Sequence, residues 1–276
     1  MNDESRLFPA LAKRFQEQCF PKITARLHLD FAGDPVARDL AHATLEDHGV
    51  TTKAIVDQLA SIEMQNRRPC IILAPGPSLD DGFEYLCRRG ALSRENFIVA
   101  VDGAASPLID RGAKLDAVVT DLDGLDDDQL TQIIHRYKAT CFIHCHGNNL
   151  DRLNDVLRFS AGYNNCIFTT QVDPTELVAN FGGFTDGDRA AFIAIQLGFT
   201  SLYLVSMDLD AAEIGAHSKP RLVDRLVEDN PLKKGKLQVA SSIVKWLAWK
   251  RPRGCMIYTV NKQPPLPYLP NVASVP

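Results

Sequence analysis

Carboxylates recur in this sequence where short apolar runs stop. Asp102 and Gly103 follow FIVAV in VDGA, Asp121 and Asp123 end the next run in TDLDG, and Asp208 and Asp210 end a later one in SMDLD. Asp186 and Asp188 lie in GFTDGDRA, just before a helical pattern. In an extended segment residues i and i+2 face one side, so Asp121 and Asp123 can project together. Two like charges about 4 Å apart repel by roughly 4 kcal/mol at an effective dielectric of about 20. A bound Mg²⁺ removes that repulsion and suits both carboxylate and phosphate oxygens. The competing explanation, that each Asp is a turn residue or a helix cap, accounts for any one of them more readily than for the set.

Three further segments carry groups that suit phosphate or a heterocycle. In PGPSLD (75–80), Gly76 allows a tight turn, and Ser78 with Asp81 reads as a helix cap whose free N–H groups can hold a phosphate. Taken alone this is an ordinary strand-to-helix turn. HCHGNN (144–149) puts His144 and His146 on one face, with Asn148 and Asn149 just beyond. Those groups suit hydrogen bonding to phosphate or to a ring, whereas zinc lacks an obvious third ligand. A buried, hydrogen-bonded histidine is the bland alternative. PLKKGKLQ (231–238) sets three lysines, Lys236 among them, at a helix start. Cations there gain nothing from the helix dipole, which favours phosphate contact over mere surface charge as their role. In GFTDGDRA, Thr185 with Asp188 resembles a capping box, which leaves Asp186 and Arg189 without a structural duty.

These groups need elements to position them. From Pro69 onward, near-continuous apolar runs at 70–74, 96–101, 117–122, 140–146, 165–170, 201–207 and 255–260 alternate with helical patterns starting near Leu79, Ser106, Asp126, Leu150, Asp186 and Lys233. Such alternation predicts an α/β fold, a doubly wound, mostly parallel sheet flanked by helices. In that architecture ligands bind beyond the carboxyl ends of the strands, where the aspartates fall. Residues 1–68 read as a small helical N-terminal segment, with helices at 35–47 and 51–66. Residues 69–262 form the α/β domain, and 263–276 a Pro-rich tail that is extended or disordered.

Composition narrows the function classes. A net charge of -4 argues against broad nucleic-acid binding. No apolar run approaches the roughly 20 residues needed to cross a bilayer, and the start of the chain lacks a secretory pattern, so a cytoplasmic location is expected. Seven scattered cysteines without a C-x-x-C pair indicate neither a zinc ribbon nor a redox motif. The expected partners are therefore small molecules, with no nucleic acid and no membrane; assembly into a homo-oligomer is left open.

The succession PGPSLD, VDGA, TDLDG, HCHGNN, GFTDGDRA, SMDLD and KKGKL resembles, in order over roughly residues 68–245, the archaeal-type 6-hydroxymethyl-7,8-dihydropterin pyrophosphokinases. FPKITARLHLDFAGDPVARDLA is a weaker match to that family's N-terminal region. The resemblance implies a fold related to thiamine pyrophosphokinase, with ATP as co-substrate and Mg²⁺ as cofactor. It implies transfer of the β,γ-diphosphate to the pterin hydroxymethyl oxygen, with release of AMP. On that basis Asp121 and Asp123 are expected to hold Mg²⁺, with Asp102 or Asp186 assisting, and Arg189 and Lys236 to contact phosphates. Asp188 or Asp208 is expected to bond the pterin or activate its hydroxyl. Gly76, Ser78, Gly103, His144 and His146 complete the expected ligand-binding set. One position departs from the family's H-x-H-G-D-N pattern, because Asn148 stands where it has an aspartate; Asn keeps a carbonyl acceptor but loses the charge. Thiamine as acceptor, a sugar-transferase relative, and a non-catalytic nucleotide- or pterin-binding protein are the competing readings.

Overall fold

In this computed structural model the described residues are 3–160, 162–218 and 225–275. The first two residues of the N-terminal segment and the last of the tail lie outside them. Each apolar run becomes a strand: β1 (Cys70–Leu73), β2 (Phe97–Val101), β3 (Ala117–Thr120), β4 (Thr140–His144), β5 (Cys166–Thr169), β6 (Ser201–Val205) and β7 (Met256–Val260). An eighth, β8 (Asn271–Val272), comes from the Pro-rich tail, which pairs with β7 and is ordered there. All these pairings are parallel, in the order β5-β4-β3-β2-β1-β6-β7-β8. β1, β3, β4, β5 and β6 stop one or two residues before their apolar runs do, as the chain turns at their carboxyl ends. Asp102 (φ 47), Leu122 (φ 74) and Ser206 (φ 56) take the left-handed region immediately or soon after β2, β3 and β6. Such conformations are costly for non-glycine residues and persist only where surroundings enforce them.

The helices are α1 (Asp3–Leu7), α2 (Ala10–Gln18), α3 (Phe20–Leu27), α4 (Gly33–Asp47), α5 (Thr52–Glu63), α6 (Leu79–Arg88), α7 (Ser106–Asp110), α8 (Asp127–Thr131), α9 (Leu150–Ser160), α10 (Asp186–Gln196) and α11 (Pro231–Lys250). The stretch before α4, which carries few strand signals, is thus helical too. Every residue of α10 from Asp188 to Ile195 is buried, and the helix packs on β1, β2 and β3. Its Phe192 stacks on Trp246 of α11 and meets Phe15 of α2 edge-on, with centroids 5.0 Å apart in the latter pair. That packing ties the N-terminal helices to the sheet and aims the first turn of α10 at the strands' carboxyl ends. The chain winds outward from β1 to β5, then returns to lay β6 on the other side of β1. The crevice between the ends of β1 and β6 is therefore the topological switch point.

Candidate active site

A cavity of about 290 Å³ opens at that switch point. Gly76, Asp102, Asp121, Asp123, His144, His146, Asn148, Asp186, Arg189, Asp208 and Lys236 all line it, whereas Ser78, Gly103 and Asp188 do not.

Its acidic side is built from β2, β3, β4 and α10. Asp121 and Asp123 converge, though not by strand alternation: β3 ends at Thr120, Leu122 turns with φ 74 and buries its side chain, and the Asp123 N–H donates to Asp121 Oδ1 at 3.1 Å. Asp102 is buried and accepts from Thr120 Oγ1 at 2.7 Å. Burial and the nearby Asp121 charge push its carboxyl up to about 7. Burial, then Asp121, likewise drives Asp186 well above the ordinary carboxylate range. Asp121 goes the other way: burial pushes it up, but His146 and Arg189 outweigh that and hold it down. Asp102, Asp121 and Asp186 thus crowd like charge into one end of the cavity.

Arg189 is 2% exposed and is held by three acceptors. Its Nη1 donates to Asp186 Oδ1 at 2.9 Å, and its Nη2 to His144 Nε2 at 3.0 Å and to the Phe184 carbonyl at 3.3 Å. Because guanidinium has no lone pair to offer, His144 Nε2 must accept, and the proton of the neutral ring sits on Nδ1, facing Thr169 Oγ1 at 3.2 Å. Burial and the Arg189 charge keep the His144 pKa well below its ordinary value, in accord with that tautomer. Asn149 fastens the neighbouring strand ends, donating to the Asp121 and His144 carbonyls at 2.8 Å each. Asn148 lies exposed on the rim, its N–H donating to His146 Nδ1 at 3.2 Å.

The opposite side joins the PGPSLD turn to SMDLD and α11. Ser78 stands at the N-cap position of α6 but does not cap it with its side chain. Its hydroxyl and N–H both donate to Asp208 Oδ2, at 2.7 and 2.9 Å, so the expected S-x-x-D cap gives way to a tie between β1 and β6. A side chain at 76 would lie 2.5 Å from that Asp208 oxygen and 2.3 Å from the Ser206 carbonyl, so only glycine fits. The buried Lys262, absent from the sequence-derived set, reaches Asp208 Oδ1 at 3.7 Å and Asp210 Oδ1 at 2.7 Å. Asp208 is thereby engaged in holding backbone. Lys233 and Lys236, three residues apart and so on one face of α11, line the cavity, while Lys234 is exposed. Lys233 Nζ also donates to Ser218 Oγ at 3.2 Å.

Asp188 is 1% exposed and accepts from Phe184 N, Thr185 N and Thr185 Oγ1, the last at 2.7 Å. It closes the capping box of α10 and faces away from the cavity. Gly103 packs against the His217 carbonyl, which a Cβ there would meet at 1.9 Å. Leu29, Phe31, Asp34 and Gln171 also line the cavity. Neither their types nor their spacing mark them in the sequence: Leu29, Phe31 and Asp34 sit in an apolar–polar stretch at a helix start, and Gln171 follows β5. A metal's fit can be judged from the donor set. Among the described residues no three or more His, Cys, Asp or Glu side chains are already gathered as a metal-binding group. Magnesium, however, is typically held by one or two carboxylates with water and substrate phosphates, and the crowded Asp102, Asp121 and Asp186 charges are relieved by such a cation. Among the described residues no helix is long and apolar enough to cross a membrane.

Residues 42–213 match the family model described as 6-hydroxymethylpterin diphosphokinase MptE-like. The chain is similar to the 6-hydroxymethyl-7,8-dihydropterin pyrophosphokinase of Methanothermobacter thermautotrophicus, with 33% identity over 83% of this chain and 91% of the relative. The enzyme of that name from Pyrococcus furiosus is 37% identical over 70% of this chain and 76% of its own length. That from Methanocaldococcus jannaschii is 29% identical over 65% and 74%.

Proposed function

Because this chain belongs to the 6-hydroxymethylpterin diphosphokinase MptE-like family, we propose that it transfers diphosphate from ATP to 6-hydroxymethyl-7,8-dihydropterin, as the names of its relatives state for them. The observation that carries the reading is one cavity with carboxylates on one side and, on the other, lysines above a glycine turn. In this reaction the hydroxymethyl oxygen attacks the β-phosphorus, the bond from β-phosphorus to the α,β-bridging oxygen breaks, and AMP leaves with that oxygen. The hydroxyl proton passes to solvent or a base.

Such transfer depends on positioning and charge neutralisation more than on covalent chemistry. Asp121 and Asp123 would hold Mg²⁺, with Asp102 or Asp186 assisting, and the ion would neutralise charge on the transferring phosphates. Lys233 and Lys236 bind the nucleotide phosphates above the Gly76 turn. Arg189 aims Asp186 and favours its ionised form against burial, working through that carboxylate rather than on the substrate. Asp208 orders the turn, and Asp188 fixes the start of α10, so neither is assigned to the pterin. Leu29, Phe31 and Phe184 supply apolar surface for a flat ring. We place the reaction in the cytoplasm, where ATP is abundant.

Purified protein with ATP, Mg²⁺ and 6-hydroxymethyl-7,8-dihydropterin should release AMP, with thiamine run in parallel. AMP with thiamine alone would keep the chemistry and replace the acceptor. ATP binding without AMP from either alcohol would overturn the assignment in favour of a binding protein.

A further inference from the structure

The segment ahead of β1 supplies Leu29 and Phe31 to the cavity wall, and its helix α4 also begins against the site. Gly33 and Gly147 touch backbone to backbone: a Cβ on Gly33 would lie 2.7 Å from the Gly147 Cα, and the reverse substitution is as tight at 2.8 Å. This approach brings in Asp34, which is 3% exposed. Asp34 Oδ1 accepts the Gly147 N–H at 2.8 Å, and Oδ2 accepts Gln171 Nε2 at 2.7 Å. Neither bond serves α4 itself, whose N-cap residue Ala32 offers no side-chain cap.

Two routes lead from Asp34 to the carboxylates. Through Gly147 it fixes the HCHGNN turn, where Asn149 grips the Asp121 carbonyl and His146 faces the Asp121 side chain, Nε2 to Oδ2 3.8 Å. Through Gln171 it steadies the amide lying against His144, which is followed in a row by Arg189 and Asp186. A buried carboxylate can accept from two N–H groups at once. Asparagine, of the same size, would turn an NH₂ towards one of those two donors.

Resting on the reading of Asp121 and Asp186 as cation-side groups, we propose that Asp34 is a positioning residue. From the N-terminal helical segment it holds the HCHGNN turn and the Gln171–His144–Arg189–Asp186 row in the geometry that receives the metal–nucleotide complex. The N-terminal helices are then part of the active site.

The test uses full-length protein, with Mn²⁺ as a paramagnetic probe titrated in the presence of ATP. Thermal unfolding and AMP release are followed alongside. Residues behind metal ligands typically contribute about 10–100-fold to metal affinity or activity. Asp34→Asn and Gln171→Leu should each weaken Mn²⁺ binding by that factor while still unfolding cooperatively, and kcat should fall more than KM for the pterin rises. Wild-type Mn²⁺ affinity in both variants, with only the melting temperature lowered, would reduce Asp34 to a structural role and overturn the proposal. If Asp34→Asn does not fold, Gln171→Leu decides, since it leaves the Asp34–Gly147 bond intact. A wild-type chain that binds Mn²⁺, loses it on Asp34→Asn and yet makes no AMP from the pterin would uphold Asp34 while refuting the pterin assignment. AMP release with unchanged Asp34→Asn behaviour would do the reverse.

Discussion

The two sides of the cavity are built on opposite plans. On the acidic side like charges crowd together, Asp102 buried and Asp121 and Asp186 partly so, and they are held by neighbours that are buried: Arg189, His144, Asn149 and Thr120. On the lysine side the carboxylate Asp208 is engaged by Ser78 and Lys262, and the cations reach in from α11 on half-buried side chains. The first arrangement is electrostatically frustrated, crowded with like charge that a cation would relieve. The second is satisfied in its backbone and leaves only long, adaptable side chains for the ligand. Frustrated groups should govern the chemical step, and adaptable ones binding.

The sharpest way to break this contrast is Asp121→Ala. Loss of a metal-holding carboxylate should remove several kcal/mol of transition-state stabilisation, lowering AMP release by about 10³-fold or more. The melting temperature of the metal-free protein should hold or rise, because Asp121 is the charge that destabilises ionised Asp102 and Asp186. Substantial residual turnover would remove Asp121 from the metal site. On the other side, Lys233→Ala and Lys236→Ala should each raise KM for ATP about tenfold with kcat little changed, the worth of one charge-assisted contact, about 1.5 kcal/mol. A fall in kcat without a change in KM would move those lysines into the chemistry and erase the distinction between the sides.

The sheet was readable because parallel strands buried on both faces leave unbroken apolar runs, and each such run proved to be a strand. The tail strand β8 was not, because prolines around a two-residue pairing leave no pattern. Within the site, residue type disclosed the carboxylates and histidines but not their employment. Ser78 and Asp208 look like a cap and a ligand in sequence; they bond each other because β1 and β6 become neighbours only in the fold, 130 positions apart. Asp188 was visible as a cap, and the structure shows it closing the capping box of α10. Asp34 and Lys262 were invisible, since a lone charge in an ordinary context acquires its role from what packs over it.

A smaller effect tests the buried frame of the acidic side. Neutral His144 is favoured by folding because burial and Arg189 depress its pKa below 6.5. The unfolded chain therefore binds the proton first. Stability from this group is complete above about pH 6.5 and declines as pH falls through the window down to the folded value, by about 1.4 kcal/mol per pH unit for one proton. Asp102 and Asp186 take up protons in the folded state over the same window and oppose this loss in both proteins. Melting curves at pH 7 and pH 5 should therefore show the wild type losing stability relative to His144→Gln, which keeps an acceptor for Arg189 without titrating. Equal acid sensitivity in both would place the linked proton elsewhere.

The smallest effect is expected where the chain departs from its family's pattern. An aspartate at 148 would suggest a third carboxylate beside Asp121 and Asp123. The position is on the exposed rim, however, and the hydrogen bond there is made by the backbone, Asn148 N–H to His146 Nδ1. That bond requires an unprotonated Nδ1, which leaves Nε2–H turned towards Asp121. Any residue whose backbone can make the same turn preserves this geometry, so charge at 148 adds only a solvent-screened contribution, within about 1 kcal/mol. Asn148→Asp should then change kcat/KM by less than about fivefold, with apparent Mg²⁺ affinity rising slightly at low ionic strength. A gain of a hundredfold in either would mean that position 148 binds the metal directly, and that this chain's acidic side is one ligand short.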